Sequence, residues 1–155
     1  MTIIKLRGLK NLSSDIKLSQ IYDQFDILLK ELRKRVLPDS IIQTINNEVE
    51  EINTYNSLTT NDLIKLIKKK QTAILRLIEK DLKLVPENYY RTLWLALGMT
   101  AFGIPLGVLF GVIIRTPGLF ALGIPVGLAI GVTVGTAMDK KAAKENRQLN
   151  VEIKY

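Results

Sequence analysis

The side chains that most often carry out chemistry in proteins are scarce in this sequence. It contains no histidine and no cysteine, which removes imidazole bases, thiolate nucleophiles, disulfides and nearly all zinc sites. Glu48, Glu50 and Glu51 lie close together, but no partner is spaced to make them a metal site, and we interpret them as a solvated helix face. No phosphate-binding loop, GxSxG or HExxH motif occurs. We therefore predict a protein that is not an enzyme and holds no cofactor.

Two basic clusters are the next candidates for a binding site. They are Arg33, Lys34 and Arg35, and Lys68, Lys69 and Lys70. Nucleic acid is not expected as a partner, because acidic residues surround both clusters and no aromatic side chains interleave with the cations. A solvated helix face is the commoner explanation. The functional interpretation is that Lys68, Lys69 and Lys70 contact anionic lipid headgroups, since a long apolar run begins about twenty residues later.

The charges divide the chain into two contrasting parts. Residues 1–91 carry 16 basic and 12 acidic side chains, whereas residues 92–138 carry a single charge, Arg115. Each side of Arg115 is a run of 23 uncharged residues. As helices, these runs extend roughly 35 Å, enough to cross a hydrocarbon core of about 30 Å. We predict two membrane spans, at about 92–114 and 117–138, because the rest of the chain is too small to bury such a hairpin in a soluble core.

The two spans share a repeated glycine pattern. "GIPLGVLFGV" at 103–112 returns as "GIPVGLAIGV" at 123–132. Glycines four residues apart lie on one helix face and allow close backbone contact, which stabilises helix pairs in lipid. The predicted helix-packing residues are Gly103, Gly107, Gly111, Gly123, Gly127, Gly131 and Gly135. Either these glycines close the hairpin on itself, or one face joins separate copies; small residues off the main stripe, which include Gly98, Ala101, Ala129, Thr133, Thr136 and Ala137, offer a second interface.

The repeat also predicts a register. Folding the hairpin about Arg115 places Gly107 level with Gly123, and Pro105 level with Pro125. A proline inside a helix removes one backbone hydrogen bond and tends to kink the helix. We therefore expect matched kinks at Pro105 and Pro125.

Basic residues flank the outer ends of the hairpin, whereas its turn carries only Arg115. The excess of Lys and Arg on cytoplasmic segments then predicts a multi-pass membrane protein with both termini in the cytoplasm. Tyr and Trp favour the membrane–water boundary. The predicted interface residues are Tyr89, Tyr90, Arg91, Trp94, Arg115, Lys140 and Lys141.

Residues 1–91 are predicted to form three amphipathic helices. Their starts are predicted at Ser13 or Ser14, at Asp39 or Ser40, and after Thr60 or Asn61. Short links predict an antiparallel bundle, although the third helix also suits a membrane surface. Residues 1–12 are a short strand or an extended arm. The predicted fold class is an all-α membrane protein: a cytoplasmic helical bundle over 1–86, a two-helix glycine-zipper transmembrane hairpin over 87–138, and a basic cytoplasmic tail over 139–155.

The stretches "NYYRTLWLALGMTAFGIPLGVLFG" and "GIPVGLAIGVTVGTAMDKKAAKENRQL" resemble a loose group of small, uncharacterised bacterial membrane proteins with a glycine-zipper hairpin and a DKKA-like basic tail. The resemblance covers about residues 85–150. It implies a bacterial inner-membrane setting, and it supplies no activity or binding residues.

Three functions are compatible with these features. The favoured one is a non-enzymatic membrane module that forms a homo-oligomer through its glycine-rich faces, while the cytoplasmic domain receives a protein or lipid input. The second is an oligomeric pore or membrane-permeabilising effector gated by that domain. The third is a monomeric membrane anchor or adaptor.

Overall fold

The computed structural model describes residues 2–8, 15–55, 59–113 and 120–153. The chain is mostly helical and divides into two compact units, Met1–Val85 with Leu149–Tyr155, and Pro86–Gln148. The elements, in chain order, are α1 (Ile16–Arg33), α2 (Asp39–Thr54), α3 (Thr60–Leu82), β1 (Val85–Glu87), α4 (Tyr89–Leu97), a π-helical segment (Gly98–Gly103), α5 (Ile104–Ile113), α6 (Phe120–Lys144) and β2 (Gln148–Glu152).

The first unit is a bundle in which α1, α2 and α3 share one hydrophobic core. Apolar side chains recurring at helical spacing meet there, and Phe25, Ile45 and Ile67 are completely buried. The apolar face of α3 belongs to this core, so α3 is a bundle helix and not one that lies on a membrane surface. Residues 2–8 form the extended arm that the sequence offered as one alternative.

The helix starts differ by a few residues from the predicted ones. Asp15 caps α1 by accepting hydrogen bonds from the backbone N–H groups of Lys17 and Leu18. The predicted caps Ser13 and Ser14 lie outside the described residues. Helix α2 begins after Pro38 without a side-chain cap, and Thr59 caps α3. Several neighbouring Ser, Thr and Asp residues have the chemistry of a cap, and only the three-dimensional reach of the side chain selects among them.

The C-terminal segment corrects both the all-α class and the predicted tail over 139–155. Helix α6 continues through Asp139 to Lys144, and β2 follows and pairs with β1 in a two-stranded sheet. Leu149 and Val151 alternate along β2 and belong to the core of the first unit. This period of two is the pattern of a half-buried strand, and the basic residues nearby had obscured it.

The predicted contact of Lys68, Lys69 and Lys70 with lipid headgroups is wrong for Lys70. Its side chain is buried, and its ammonium nitrogen lies 2.8 Å from a Glu48 carboxylate oxygen and 2.5 Å from one of Glu51. Burial alone would lower the pKa of Lys70, but its hydrogen bonds and charge interactions with Glu48 and Glu51 outweigh burial and raise that pKa above its ordinary value. Lys70 therefore holds α3 to α2. Glu48 is half-buried, whereas Glu51 is exposed as the predicted solvated face requires. Lys68 is half-buried and Lys69 is exposed, so lipid contact by these two stays a prediction.

We expect Lys70→Met to destabilise the bundle by about 1–3 kcal/mol, because the change leaves two carboxylates next to an apolar group. Hydrogen exchange of the α2 and α3 amides measures the loss, and Lys69→Met on the exposed side is the matched control. Because the folded-state pKa of Lys70 is raised, its contribution is complete at neutral pH and is lost as the solution becomes strongly alkaline. Equal stabilities of the two variants would contradict this role.

Candidate functional site: the glycine-faced hairpin

The second unit contains two long apolar helical runs. The run Tyr89–Ile113 has 25 residues, and its 18-residue apolar window has a mean hydropathy of 2.0. The run Ala121–Lys144 has 24 residues, and its 18-residue apolar window has a mean hydropathy of 1.8. Both are long and apolar enough to cross a membrane, and only 22% of the apolar window of each is buried. Arg115 and the predicted turn lie outside the described residues. Large apolar side chains are exposed along both runs, among them Leu93, Leu97, Phe102, Ile104, Val112, Leu122, Ile124 and Val126.

Glycines occupy the contact between the two runs. A Cβ atom added to Gly127 would lie 2.5 Å from the Cα of Gly103, and one added to Gly123 would lie 2.5 Å from the Cα of Gly107. Real side chains essentially never approach backbone atoms so closely. The two backbones therefore touch directly, and dispersion between them replaces the side-chain packing of an ordinary helix pair.

The same contact continues towards the beginning of α4. A Cβ on Gly131 would lie 2.9 Å from the carbonyl carbon of Trp94, and one on Gly135 would lie 2.5 Å from the Cα of Arg91. Glycines of α6 thus follow the partner run almost to its first turn. Gly111 is also buried.

The glycines interdigitate instead of lying level. Gly123 contacts both Gly103 and Gly107, and Gly127 contacts both Gly98 and Gly103. The predicted pairing of Gly107 with Gly123 is thus only part of the helix contact, because each glycine of one helix packs into the space between two residues of the other.

The π-helical segment brings Gly98 onto the buried face. Gly98 precedes Gly103 by five residues, whereas the later glycines follow at intervals of four. The N–H of Ile104 donates to the carbonyl of Met99, five residues back, and this wider turn accommodates the extra residue. A continuous α-helix would have rotated Gly98 off the stripe, which is where the sequence pattern had placed it.

The two prolines have different local structures. The π-helical segment ends two residues before Pro105. Pro105 lacks the N–H that an α-helix would direct at the carbonyl of Ala101. Helix α6 passes through Pro125 as α-helix. The helices therefore do not respond alike at the two positions, and matched kinks stay a prediction.

Asp139 closes the open end of the hairpin and was missed in the sequence. Its side chain is buried, and its carboxylate oxygens accept hydrogen bonds from the N–H of Tyr90 at 3.0 Å and of Arg91 at 2.9 Å. These groups belong to the first turn of α4, where Asn88 makes no side-chain capping bond. Asp139 thus caps α4 from α6. The sequence feature that could have identified Asp139 is its position four residues after Gly135, which places it on the glycine face of α6.

The other predicted interface residues gather near the same end. The rings of Tyr89 and Tyr90 meet edge to face with centroids 5.2 Å apart, and Trp94 is half-buried. The exposed members are Arg91, Lys140 and Lys141.

An ion pair follows α6 at this end of the hairpin. Glu145 pairs with Arg147. The hydrogen bond from Arg147 lowers the pKa of Glu145, while hydrogen bonds with Glu145 and Tyr90 raise the pKa of Arg147. Both groups therefore stay charged throughout the physiological pH range.

The described part of the hairpin consists of packing surfaces with charged side chains near one end. Among the described residues, no group of three His, Cys, Asp or Glu side chains is arranged to hold a metal ion. Comparisons of the chain with protein-family models, curated proteins and solved structures find no match. The class defined by the structure is thus a mostly helical protein with two helices that are long and apolar enough to span a membrane.

We expect Gly127→Leu to separate the hairpin helices, because even a Cβ at this position overlaps the opposite backbone. Cysteines substituted for Phe102 and Ile124 take spin labels selectively, since the chain has no cysteine of its own. With unlabelled protein added to dilute contacts between copies, the label distance should increase by about 2 Å or more, towards the 8–10 Å axial spacing of ordinary helix pairs. Val126→Leu, at an exposed neighbouring position, is the control. An unchanged distance in Gly127→Leu would contradict the direct backbone contact.

We expect Asp139→Ala to loosen the first turn of α4 by about 1 kcal/mol, since two N–H groups lose their acceptor. Hydrogen exchange of the Tyr90 and Arg91 amides should accelerate about fivefold in the alanine variant. Asp139→Asn keeps one acceptor oxygen and should show a smaller effect. Equal exchange rates in the wild type and Asp139→Ala would show that the carboxylate is not a cap.

Proposed function

We propose that this chain is a non-enzymatic integral membrane module of a bacterial inner membrane, with both termini in the cytoplasm. The observation that carries the proposal is the inverted arrangement of the hairpin, which exposes large apolar side chains and buries glycines. Water would penalise such a surface, whereas lipid matches it. The bundle has the opposite arrangement, with its large aliphatic side chains in the core, and serves as the cytoplasmic domain that receives a protein input.

The module self-associates through a face other than the glycine stripe, which is already occupied within the hairpin. A second stripe on α6 begins two residues out of step with Gly123, which is about 200° around the helix. It consists of Ala121, Pro125, Ala129, Thr133 and Ala137, and all five are exposed. Small residues at intervals of four are typical of helix contacts in lipid.

The hydroxyl of Thr133 supports this assignment. It donates to the carbonyl of Ala129 at 2.8 Å, so it satisfies its donor within α6 and does not need water. The Thr133 hydroxyl therefore needs no partner from a second copy that packs on this face.

Membrane insertion and self-association are tested separately. We expect the protein to remain with membranes after an alkaline carbonate wash, and release would contradict the membrane assignment.

The mass of the solubilised protein, with detergent subtracted, should correspond to a discrete oligomer. Ala129→Phe combined with Thr133→Phe should give a monomer, because two rings keep the helices apart, whereas Val126→Phe on the adjacent exposed face should not. A monomeric wild type would favour the plain anchor instead.

A further inference from the structure

The N-terminal arm, residues 2–8, is bound by side chains as a separate peptide would be. Asn46 accepts from the N–H of Ile4 at 2.9 Å and donates to the carbonyl of Thr2 at 3.1 Å. Asn53 bonds in the same way three residues further along the arm. It accepts from the N–H of Arg7 at 2.7 Å and donates to the carbonyl of Lys5 at 3.0 Å. Both amides thus read the backbone of the arm and none of its side chains.

Each asparagine takes the place of one residue in a parallel β-strand. In a parallel ladder, one residue bonds to a carbonyl and an N–H that flank a single residue of its neighbour. Asn46 flanks Ile3 in this way, and Asn53 flanks Leu6. Ile3 is buried and Leu6 is partly buried against the core, so each amide pair fixes an inward-pointing aliphatic side chain.

The spacing of the two asparagines matches an extended peptide. Seven residues of α2 rise about 10.5 Å, and the three residues from Ile4 to Arg7 extend about 10 Å. The arm runs parallel to α2, since Ile4 meets Asn46 and Arg7 meets Asn53. The helix therefore presents its two amides at the repeat that an extended chain requires.

Helix α1 bonds to the same arm. The Arg33 guanidinium donates to the carbonyls of Ile3, at 3.1 Å, and Ile4, at 2.7 Å. The Tyr22 hydroxyl donates to the carbonyl of Arg7. Burial, together with the nearby carboxylates of Asp26 and Asp23, raises the pKa of Tyr22, so its hydroxyl stays a donor at neutral pH. We call the surface formed by Tyr22, Arg33, Asn46 and Asn53 the arm groove.

The arm groove makes few demands on side chains. Thr2, Ile4, Lys5 and Arg7 are exposed, so the identity of the bound segment is read chiefly at Ile3 and Leu6. The hydrogen bonds of both asparagines are solvent-exposed, and segments held in this way open at a lower free energy than a packed core. The arm is thus suited to exchange with another segment of the same form.

We propose that the arm groove is a receptor for an extended peptide, and that residues 2–8 are its resident ligand. The incoming partner is an extended segment of another protein chain with aliphatic residues three positions apart, bound through its backbone by Asn46 and Asn53. This identifies the protein input of the proposed function. It rests on that function only for the role of the bundle, because peptide binding is measured independently of membrane insertion.

A full chain lacking residues 1–8, solubilised in detergent, is titrated with a fluorescent peptide of residues 1–8, and fluorescence anisotropy reports binding. We expect saturable binding to the shortened chain and much weaker binding to the intact chain, whose own arm competes. Asn46→Ala with Asn53→Ala should weaken binding by about tenfold or more, because four hydrogen bonds are lost. Asn47→Ala, an exposed asparagine on the same helix, is the matched control.

A shortened chain that keeps its helical circular dichroism but binds no peptide would overturn the proposal, as would binding that is insensitive to the Asn46 and Asn53 changes. If the shortened chain does not fold, hydrogen exchange on the intact chain decides. The Ile4 and Arg7 amides should exchange at least about tenfold faster than that of Ile67, because the arm opens separately. Exchange of the arm only together with the core would equally overturn the proposal.

Discussion

Direct contact between two helix backbones is the constraint on which the rest of the hairpin depends. Because a Cβ at Gly127 would overlap Gly103, no side chain is tolerated at this position. The first run must therefore present backbone at every step, and the π-helical segment supplies it at Gly98 by absorbing one extra residue. The same face of α6 then carries Asp139, which reaches the unpaired N–H groups of α4.

The two units bury opposite kinds of residue although both are built from packed helices. In the bundle, large aliphatic side chains fill the core, and the buried ammonium of Lys70 is matched by Glu48 and Glu51. In the hairpin, the large side chains lie outside and the contact contains almost no side-chain atoms. The buried carboxylate of Asp139 lies at one end of this contact, where it accepts hydrogen bonds from two backbone N–H groups of α4.

Patterns with a short period could be predicted from the sequence, and features that join distant positions could not. The periodicity of 3.6 predicted three bundle helices, and the glycine interval of four predicted the face on which Gly123 and Gly127 lie. The π-helical turn could not be predicted from the sequence, because it depends on where α6 approaches Gly98. The pairing of Lys70 with Glu48 joins residues on different helices, and nothing in either local sequence specifies it.

The arm groove illustrates the same limit and has a simple physical cause. A helix uses its own backbone N–H and carbonyl groups internally, so it holds an extended chain only through side chains. Asparagine is suited to this task, because its short amide carries both an acceptor and donors. Asn46 and Asn53 lie two helical turns apart, and their side-chain amides make the hydrogen bonds that the backbone of a neighbouring strand would make. Helix α2 can therefore hold an extended chain although it is not a strand. The sequence shows Asn46 and Asn53 seven residues apart, but their meaning emerges only when an extended segment lies beside them.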